Sequence, residues 1–505
     1  MNVTLIRPPA YANIMGVQRV PYLGIVYVAT SVREAGYQVD VIDMCAEDID
    51  RAEVIKGKKY VVYGMPFNAL KKRLKHSDVI GFTIMFSQDW TFNRELIRYV
   101  RGLYPESILV AGGEHITAIP EYCLDDCLEL DVCVIGEGEE VFINLLRAIE
   151  SGDSFSKVPG IVYRDENEKR LVSTPRTERI SDVNSIPWPA WDLIPIENYL
   201  SREMHYLIQS GRTLPIQSSR GCPYKCTFCS NENMWGNRRY KRDPKVIVNE
   251  MEYNVNKYKV TNFVFSDLTL AVNKNELIAI CNEIKERKLG ITWQVPAVRA
   301  DALDYDILKL MNESGCTEVQ FAFESGSKKI LDVIKKSRSP EGSISLIKSG
   351  LAAGINITVN IILGLPSEGY REIFQTYLLV MKGAFIGLHE INVFPFMVYP
   401  GSTLFNKFIK EGKVKLTDEY FLKMFFYIDP THAVSFSDKF SPKMLNFLRI
   451  FVLASFYCIA FISHPKRIVQ TIVNTVRGVS TTKLEVVLKR VGKTVRIYLL
   501  NKELR

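Results

Sequence analysis

The first 150 residues alternate short apolar runs with stretches whose apolar residues recur at helical spacing. Alternation of this kind predicts an α/β fold, a doubly wound parallel sheet joined by right-handed crossovers. The loops after the predicted strands are rich in Gly, Pro and Ser. Ligands of such sheets lie beyond the carboxyl ends of the strands. We therefore predict a Rossmann-like domain over residues 1–150 with a ligand at that edge.

A second strand–helix series is predicted over residues 211–410, after a polar, proline-dotted segment at 151–210. Close-set prolines oppose a long helix, so we interpret 151–210 as a linker. The six apolar runs of the second series are LPIQSSR, NFVFSD, ITWQVPAV, EVQFAFES, INITVNIILG and EINVFPFMV. Six strand–helix repeats predict a partial (β/α)6 barrel, with its chemistry at the carboxyl ends of the strands.

Residues 411–505 are predicted to form a helical, basic C-terminal domain. Residues 463–505 contain ten Lys or Arg and two Glu, so this tail (10 − 2) accounts for the net charge of +8. The apolar run 450–461 is short for a bilayer span and indicates a buried or interfacial helix. Peripheral membrane contact through 445–505 is therefore a hypothesis. The tail lacks the aromatic pattern of a nucleic-acid site, and no nucleic-acid partner is expected.

Ten cysteines are present, and three of them stand apart from the rest. Cys222, Cys226 and Cys229 follow a predicted strand in the loop SRGCPYKCTFC. Three thiolates can hold a 4Fe–4S cluster and leave one iron open. A zinc site would want a fourth Cys or His at close spacing, which neither His205 nor His389 provides. The other seven cysteines are interpreted as buried apolar side chains, and the start of the chain, which has no secretory signal pattern, favours the cytoplasm.

The cysteine loop resembles the radical S-adenosylmethionine (SAM) signature C-x3-C-x2-C, with the aromatic Phe228 before the last cysteine. Further similar segments follow the later strands: Arg299 with Asp301, Phe323 to Gly326, and Gly364-Leu365-Pro366. The resemblance implies a 4Fe–4S cluster on the three cysteines and SAM chelated by the open iron. The SAM-binding positions that it implies are Phe228, Glu324, Ser325, Asn360 and Arg299.

The N-terminal part is similar to the cobalamin-binding domain of one branch of that superfamily. Small residues at strand ends, as in that domain, would let a flat corrin approach the backbone. The cobalamin-binding positions that it implies are Pro9, Leu23, Ser87, Gly112, Gly113, Glu114, Gly136, Glu137 and Gly138. The D-x-H-x-x-G element, which supplies an axial histidine in many cobalamin proteins, is absent from the sequence. His115 is accordingly not assigned as a cobalt ligand.

The resemblance implies an enzyme that cleaves SAM to a 5′-deoxyadenosyl radical and transfers a methyl group from methylcobalamin to an unactivated carbon. Oxidative cyclisation or rearrangement, as in tetrapyrrole and natural-product relatives, stays open. So does a methylthiotransferase with a second cluster on Cys45, Cys123, Cys127 and Cys133, and so does a zinc-bearing scaffold without turnover. The expected partners are a small-molecule or lipid-like substrate and an electron donor such as flavodoxin or ferredoxin.

Overall fold

The computed structural model describes residues 1–13, 19–55, 60–165, 169–202, 211–299, 303–336, 339–429, 432, 434–477, 482, 484–486 and 492. The strands of the N-terminal part are β1 (Asn2–Arg7), β2 (Ala10–Ala12), β3 (Gln38–Asp43), β4 (Ala52–Val54), β5 (Val61–Tyr63), β6 (Val79–Thr83), β7 (Ile108–Gly112), β8 (Val132–Val134), β9 (Ile161–Asp165) and β10 (Arg170–Ser173). Its helices are α1 (Leu23–Glu34), α2 (Met44–Glu47), α3 (Phe67–Arg73), α4 (Trp90–Leu103), α5 (Glu114–Ala118), α6 (Pro120–Asp126), α7 (Gly138–Ser151) and α8 (Glu197–Leu200).

The main N-terminal sheet has the order β10-β9-β8-β7-β6-β1-β3. Its strands β3, β1, β6, β7 and β8 are parallel neighbours, so the predicted doubly wound α/β sheet is confirmed. The apolar runs form strands here because both faces of the sheet are covered, and Val3, Leu5 and Ile6 of β1 are all buried. The chain leaves β1 for β3 on one side and β6 on the other, which opens a crevice at the carboxyl ends of these strands.

Two features of this part were not predicted. Strands β9 and β10 pair antiparallel at the edge beyond β8, so part of the predicted linker 151–210 belongs to the sheet. A small antiparallel sheet, β2-β5-β4, lies beside it, and its three-residue strands are too short to show a period in the sequence. The domain limits 1–150, 151–210, 211–410 and 411–505 stay predictions.

The second part contains the six barrel strands expected from its six apolar runs, together with a separate pair of two-residue strands. Its strands are β11 (Thr213–Ile216), β12 (Ser219–Arg220), β13 (Tyr240–Lys241), β14 (Asn262–Phe265), β15 (Thr292–Val298), β16 (Cys316–Glu324), β17 (Asn356–Leu363) and β18 (Glu390–Pro395). Its helices are α9 (Asn231–Trp235), α10 (Pro244–Tyr258), α11 (Lys274–Arg287), α12 (Tyr305–Glu313), α13 (Lys328–Val333), α14 (Pro340–Ala352) and α15 (Tyr370–Ile386). The sheet runs β11-β14-β15-β16-β17-β18 with every pair parallel, which confirms the partial barrel.

The described part of the C-terminal region is mainly helical, as predicted. Its helices are α17 (Asp418–Phe426), α18 (Pro442–Ser463) and α19 (Lys466–Arg477), and α16 (Thr403–Lys410) precedes them. Helix α18 runs along the last barrel strand, β18. Arg449 of α18 donates from Nε to the Val393 carbonyl oxygen at 3.0 Å, and the Tyr457 hydroxyl donates to Glu390 at 2.7 Å. The helix thus covers the edge at which the barrel fails to close.

One buried apolar cluster joins the two parts. It continues from the face of the N-terminal sheet under α1 and α7, through Trp191 and Tyr199, into the barrel. Six of the seven cysteines interpreted as apolar core are buried, but Cys458 is exposed on α18. The interpretation of Cys458 as a core residue was therefore wrong, because its apolar neighbours in sequence lie on an outward face of the helix.

Candidate cofactor site between sheet and barrel

The three predicted cluster ligands lie in the loop that follows β12. Cys222 and Cys226 are partly buried and Cys229 is exposed. The Thr227 amide donates to the Ile334 carbonyl oxygen at 3.2 Å, and the Thr227 carbonyl oxygen accepts from the Leu404 amide at 2.9 Å. These bonds fix the loop while its thiols stay accessible, which suits a metal cluster and not an apolar core.

The entry to this loop requires glycine. Gly221 has φ +89°, and a Cβ at this position would lie 2.2 Å from the Arg238 carbonyl oxygen. Strand β12 pairs antiparallel with β13, and this pairing brings the Arg238 backbone close to Gly221. Any side chain at Gly221 would therefore push apart strands β12 and β13, which lie next to the cysteine loop.

Arg299, a predicted SAM contact, lies against the cysteine loop. Its guanidinium carbon is 3.7 Å from the Tyr224 ring centroid, and Nη1 donates to the Cys226 Sγ at 3.7 Å. Burial raises the pKa of the Cys222 thiol above its usual value. A cation beside the loop favours thiolate over thiol, and thiolates are the form that binds iron. Asp301, which was grouped with Arg299, lies outside the described residues.

Two further predicted SAM contacts lie where β16 ends. Glu324 has φ +64°, at a register shift between β16 and β17, and it forms a buried ion pair with Lys336 at 2.6 Å. Ser325 Oγ lies 3.1 Å from Thr376 Oγ1 and accepts a hydrogen bond from the Ser327 amide. A left-handed backbone at a non-glycine residue is uncommon, and functional sites are one of the places where proteins retain it.

The remaining predicted SAM positions, Asn360 and Phe228, are each partly buried. Asn360 on β17 accepts a hydrogen bond from the Asn392 side chain at 2.6 Å. The Gly364 turn after β17 is held by Glu368, whose Oε2 accepts from the Gly364 and Leu365 amides at 2.5 and 3.2 Å. The sequence analysis missed Glu368, although its position four residues after Gly364 fits such a turn-holding role.

A cavity of about 350 Å³ lies between the carboxyl edge of the N-terminal sheet and the barrel. Seven of the nine predicted cobalamin positions line it, namely Leu23, Gly112, Gly113, Glu114, Gly136, Glu137 and Gly138. The barrel side contributes Gln217, Arg220, Ser266 and Leu268. Pro9 and Ser87 do not line this cavity, so their assignment as cobalamin contacts stays a prediction without structural support.

The N-terminal wall of the cavity suits a flat, wide ligand. A Cβ at Gly24 or Gly136 would meet no atom within 4 Å, and one at Gly112 would meet only Val134, at 3.7 Å. Side chains at these positions would occupy the cavity, so their absence exposes backbone to a ligand. The chain's residues thus fit a corrin ring lying on the glycine loops.

Glu137 lines the cavity, and its carboxylate accepts hydrogen bonds from other residues of the protein. Oε1 accepts from Arg220 at 3.0 Å, and Oε2 accepts from Arg179 at 3.2 Å and from the Ile180 amide at 3.1 Å. Arg220 also bonds Glu139 at 2.5 Å. Burial alone would lower the pKa of Arg220, but the Glu139 and Glu137 carboxylates and Tyr27 together more than offset it, and the net pKa is raised. The sequence analysis missed Arg220 and Glu139, although Arg220 stands two residues before Cys222.

A second bridge joins the cavity to the cluster loop. The Ser230 hydroxyl donates to the Glu114 carboxylate, and Ser230 follows Cys229 directly. Burial raises the pKa of Glu114, and its hydrogen bond with Ser230 opposes that shift. The glycine loops and the cysteine loop therefore lie side by side, although more than 80 residues of sequence separate Glu137 from Arg220.

The N-terminal cysteines and His115 are core residues. His115 is buried on α5, with Nδ1 2.8 Å from Ser87 Oγ and Nε2 3.4 Å from Cys123 Sγ. Burial lowers the pKa of His115 to about 3 and raises the pKa of Cys127 to about 12. Cys45 lies in a different apolar cluster from Cys123, Cys127 and Cys133. These four thiols are buried among apolar side chains, whereas those of Cys222, Cys226 and Cys229 are partly buried or exposed, and the burial gives no support to a second metal cluster.

Comparison with known proteins agrees with this architecture. The Radical SAM superfamily model matches residues 216–380, and the B12 binding domain model matches residues 16–146. The chain is 28% identical over 409 residues to an uncharacterized methyltransferase of Pyrococcus horikoshii, covering 80% of this chain and 82% of that protein. It is 27% identical over 447 residues to the cytidylyl-2-hydroxyethylphosphonate methyltransferase of Streptomyces wedmorensis, covering 82% of each.

The fold is shared with a solved structure that contains both cofactors. The radical SAM methyltransferase TsrM from Kitasatospora setae, with cobalamin and a 4Fe–4S cluster bound, has a TM-score of 0.67 and 15% identity. That likeness covers 91% of this chain and 88% of TsrM. A radical SAM domain uses a 4Fe–4S cluster and SAM, and the domain in front of it is of the B12-binding type. The chain therefore contains a radical SAM domain, and a domain of the B12-binding type precedes it.

Proposed function

We propose that this protein is a cobalamin-dependent radical SAM methyltransferase that modifies an unactivated carbon of a small molecule. The observation that carries the proposal is the contact between the two cofactor regions. Ser230, beside Cys229, bonds Glu114 at the glycine-lined cavity, and Arg220, two residues before Cys222, bonds Glu137. A methyl donor and a radical source must meet at one substrate carbon, and this arrangement brings their two sites together. The methyltransferase names of the two relatives agree with it.

In this proposal the residues of the chain hold and position the cofactors. Cys222, Cys226 and Cys229 hold the cluster, and the glycines at the ends of β7 and β8 support the corrin. Phe228, Glu324, Ser325, Asn360 and Arg299 are proposed as the SAM contacts. When bound, the cluster with SAM supplies a hydrogen-abstracting 5′-deoxyadenosyl radical, and cobalamin supplies the methyl group.

The proposed partners follow from this chemistry. A one-electron donor such as flavodoxin or ferredoxin would reduce the cluster. The substrate is proposed to be a small molecule, with a lipid-like compound as the candidate class that the apolar C-terminal helix suggests. We propose a cytoplasmic enzyme whose C-terminal region, 445–505, contacts a membrane surface.

The first experiment is anaerobic purification and reconstitution, followed by iron, sulfide and cobalt analysis and an EPR spectrum. We expect about four irons per chain, bound cobalamin, and 5′-deoxyadenosine on incubation with SAM and reductant. Cys226→Ala should lose the iron, whereas Cys281→Ala, a buried cysteine on α11, should keep it. Iron without cobalt would overturn the methyl-transfer step, and a protein with no iron would indicate a zinc-bearing scaffold instead.

A product ratio separates methyl transfer from cyclisation. Methyl transfer consumes one SAM for the radical and a second to restore the methyl donor. With small-molecule extracts as the source of substrate, equal yields of 5′-deoxyadenosine and S-adenosylhomocysteine would support methylation. 5′-Deoxyadenosine without S-adenosylhomocysteine would favour oxidative cyclisation or rearrangement.

A further inference from the structure

Helix α18 has two apolar stripes, and the protein covers only one of them. The inward stripe, which packs on β18 and α15, consists of the apolar Leu445, Val452, Phe456 and Ala460, and Arg449 is buried among them. The outward stripe follows the same helical spacing and consists of Phe447, Phe451, Ala454, Cys458 and Ile462. Phe447 is 61% exposed and Ile462 is 80% exposed. A soluble helix normally carries polar residues on such a face, so the outward stripe calls for another explanation.

The apolar surface continues onto α15. Phe374, which is 57% exposed, stacks on Tyr377 with ring centroids 6.2 Å apart, and Tyr377 stacks on Phe451 at 5.6 Å. Phe451 in turn stacks on Phe447 at 6.2 Å. These four rings form one continuous aromatic row across two helices. Tyr370 and Phe385 of α15 extend the apolar surface at either end of that helix.

Helix α19 adds a third strip of the same character. Ile468, Val469 and Ile472 are exposed along one side of the helix. The helix is tied to the barrel because Arg467 donates to the Leu388 and Gly387 carbonyl oxygens at 2.8 and 2.6 Å. We call the combined outward surface of α15, α18 and α19 the apolar face.

The exposed charges on the described residues of α15, α18 and α19 are all basic. The basic residues of the three helices that the structure leaves solvent-exposed are Arg371, Lys382, Lys443, Lys466 and Arg477. The described sequences of these helices include a single acidic residue, Glu372, whose carboxylate bonds Lys329 at 2.9 Å and the Gly369 amide at 2.8 Å. Basic residues beside an apolar surface are complementary to a bilayer with anionic headgroups.

Helix α18 is long and apolar enough to cross a membrane by length and composition, and 28% of its most apolar stretch is buried in the protein. Its contacts with the barrel argue against a span. Arg449, in the middle of the helix, donates to the backbone of Val393 and to the Ile428 carbonyl oxygen at 2.7 Å. Withdrawing α18 into lipid would break these bonds and leave a guanidinium in hydrocarbon. The helix therefore suits a position flat in the interface.

We propose that the apolar face docks this protein on the surface of an anionic lipid bilayer, with α18 lying in the membrane plane. The proposal gives a defined surface to the contact suggested for residues 445–505 and adds α15 to it. It does not depend on the proposed reaction, because the face can bind lipid whatever the barrel catalyses.

The test is flotation of the reconstituted full-length protein with vesicles of phosphatidylcholine, with or without phosphatidylglycerol, at low and high salt. We expect binding to the anionic vesicles that weakens at high salt. Phe447→Glu and Phe374→Glu should each weaken it by about tenfold or more, because each replaces an exposed ring, which the lipid would bury, with a charge that anionic headgroups repel. Leu128→Glu is the matched control, since Leu128 is 70% exposed in the N-terminal part and should leave binding unchanged.

Several results would overturn the proposal. Equal binding to both vesicle types would refute the anionic surface, and unchanged binding of both phenylalanine variants would refute the apolar face. A dimer in light scattering that Phe447→Glu converts to a monomer, without vesicle binding, would show that a second copy covers the face. Iron content and 5′-deoxyadenosine yield, measured on every variant, show whether it is folded and test the proposed function separately.

Discussion

Arg220 and Glu137 form an ion pair at 3.0 Å, and each side chain is only 5% exposed. Glu137 belongs to the glycine loop after β8, and Arg220 ends β12, two residues before the first cluster cysteine. The pair therefore ties the wall of the cavity to the base of the cysteine loop. Glu139 and Arg179 extend it to a four-residue network. Buried networks of this kind act as a unit, and loss of one member leaves the others uncompensated.

Replacing Arg220 should disturb both cofactor regions at once. Arg220→Met leaves Glu137 and Glu139 buried beside each other, and we expect a loss of about 3–5 kcal/mol in the free energy of unfolding. Cobalt and iron contents should fall together. The matched control is Arg212→Met, whose ion pair with Glu197 is far more exposed and should contribute under about 1 kcal/mol. Normal content of both metals in Arg220→Met would show that the network does not position them.

Filling the cavity should remove cobalamin and spare the cluster. Gly24 lines the cavity from α1, and a side chain there meets no protein atom. We expect Gly24→Leu to lower bound cobalamin by about tenfold or more, because the leucine would take the space of the corrin. Iron content should stay unchanged. Gly102→Leu on α4, which also meets no neighbour but lies away from the cavity, should keep both metals. Cobalt and iron analysis of the two variants decides between these outcomes.

A methyl group at Gly221 should weaken cluster binding. Gly221→Ala places a Cβ 2.2 Å from the Arg238 carbonyl oxygen, so β12 and β13 must separate. Gly290→Ala controls for the backbone effect, because Gly290 has φ +65° but no atom within 4 Å of the added Cβ. We expect iron per chain to fall clearly in Gly221→Ala only. Equal iron contents in the two variants would mean that the cysteine loop tolerates the separation of β12 and β13.

The Glu368 carboxyl should make stability depend on pH. Burial raises the pKa of Glu368 to about 8, against the donors Gly364 and Leu365, which lower it. Between the ordinary pKa of a glutamate and pH 8, the folded protein holds a proton that the unfolded chain has released. The stabilisation is thus fully present below that ordinary value and is lost as pH rises toward 8.

Glu368→Gln keeps an acceptor for the turn and removes this titration. We expect its melting temperature to fall less than that of the natural protein between pH 5 and 8. Glu411→Gln, at an exposed ion pair with Lys413, should follow the natural protein. Parallel curves for the natural protein and Glu368→Gln would refute a proton on Glu368.

The local pattern of apolar residues was sufficient to predict most strands and helices of the fold. All six barrel strands and the main parallel strands of the first domain overlap the apolar runs that predicted them. Strands β2, β4 and β5 were missed because their three residues are too few to show a period, and β9 and β10 lie in the segment interpreted as a linker. The cysteine spacing indicated the candidate cluster loop in the same way, because all three cysteines fall within eight residues.

Seven of the positions that the resemblance implied for cobalamin line the cavity, but the resemblance gave no roles to their side chains. Glu137 was expected to face cobalamin, and its carboxylate is held by Arg220 and Arg179. Ser87 was expected there too, and it holds His115 instead. A side chain's partner depends on which distant segment packs against it, and this information has no local period.

The sequence by itself determined the order of strands and helices, the three thiols and the basic, apolar C-terminus, because each is a property of neighbouring residues. Only the tertiary structure decided that β9 and β10 extend the first sheet and that Arg220 meets Glu137. It also decided that one stripe of α18 covers β18 while the other faces outward with α15. These relationships join segments far apart in the chain, and they arise when packing two surfaces buries apolar area and pairs charges that no single segment could satisfy alone.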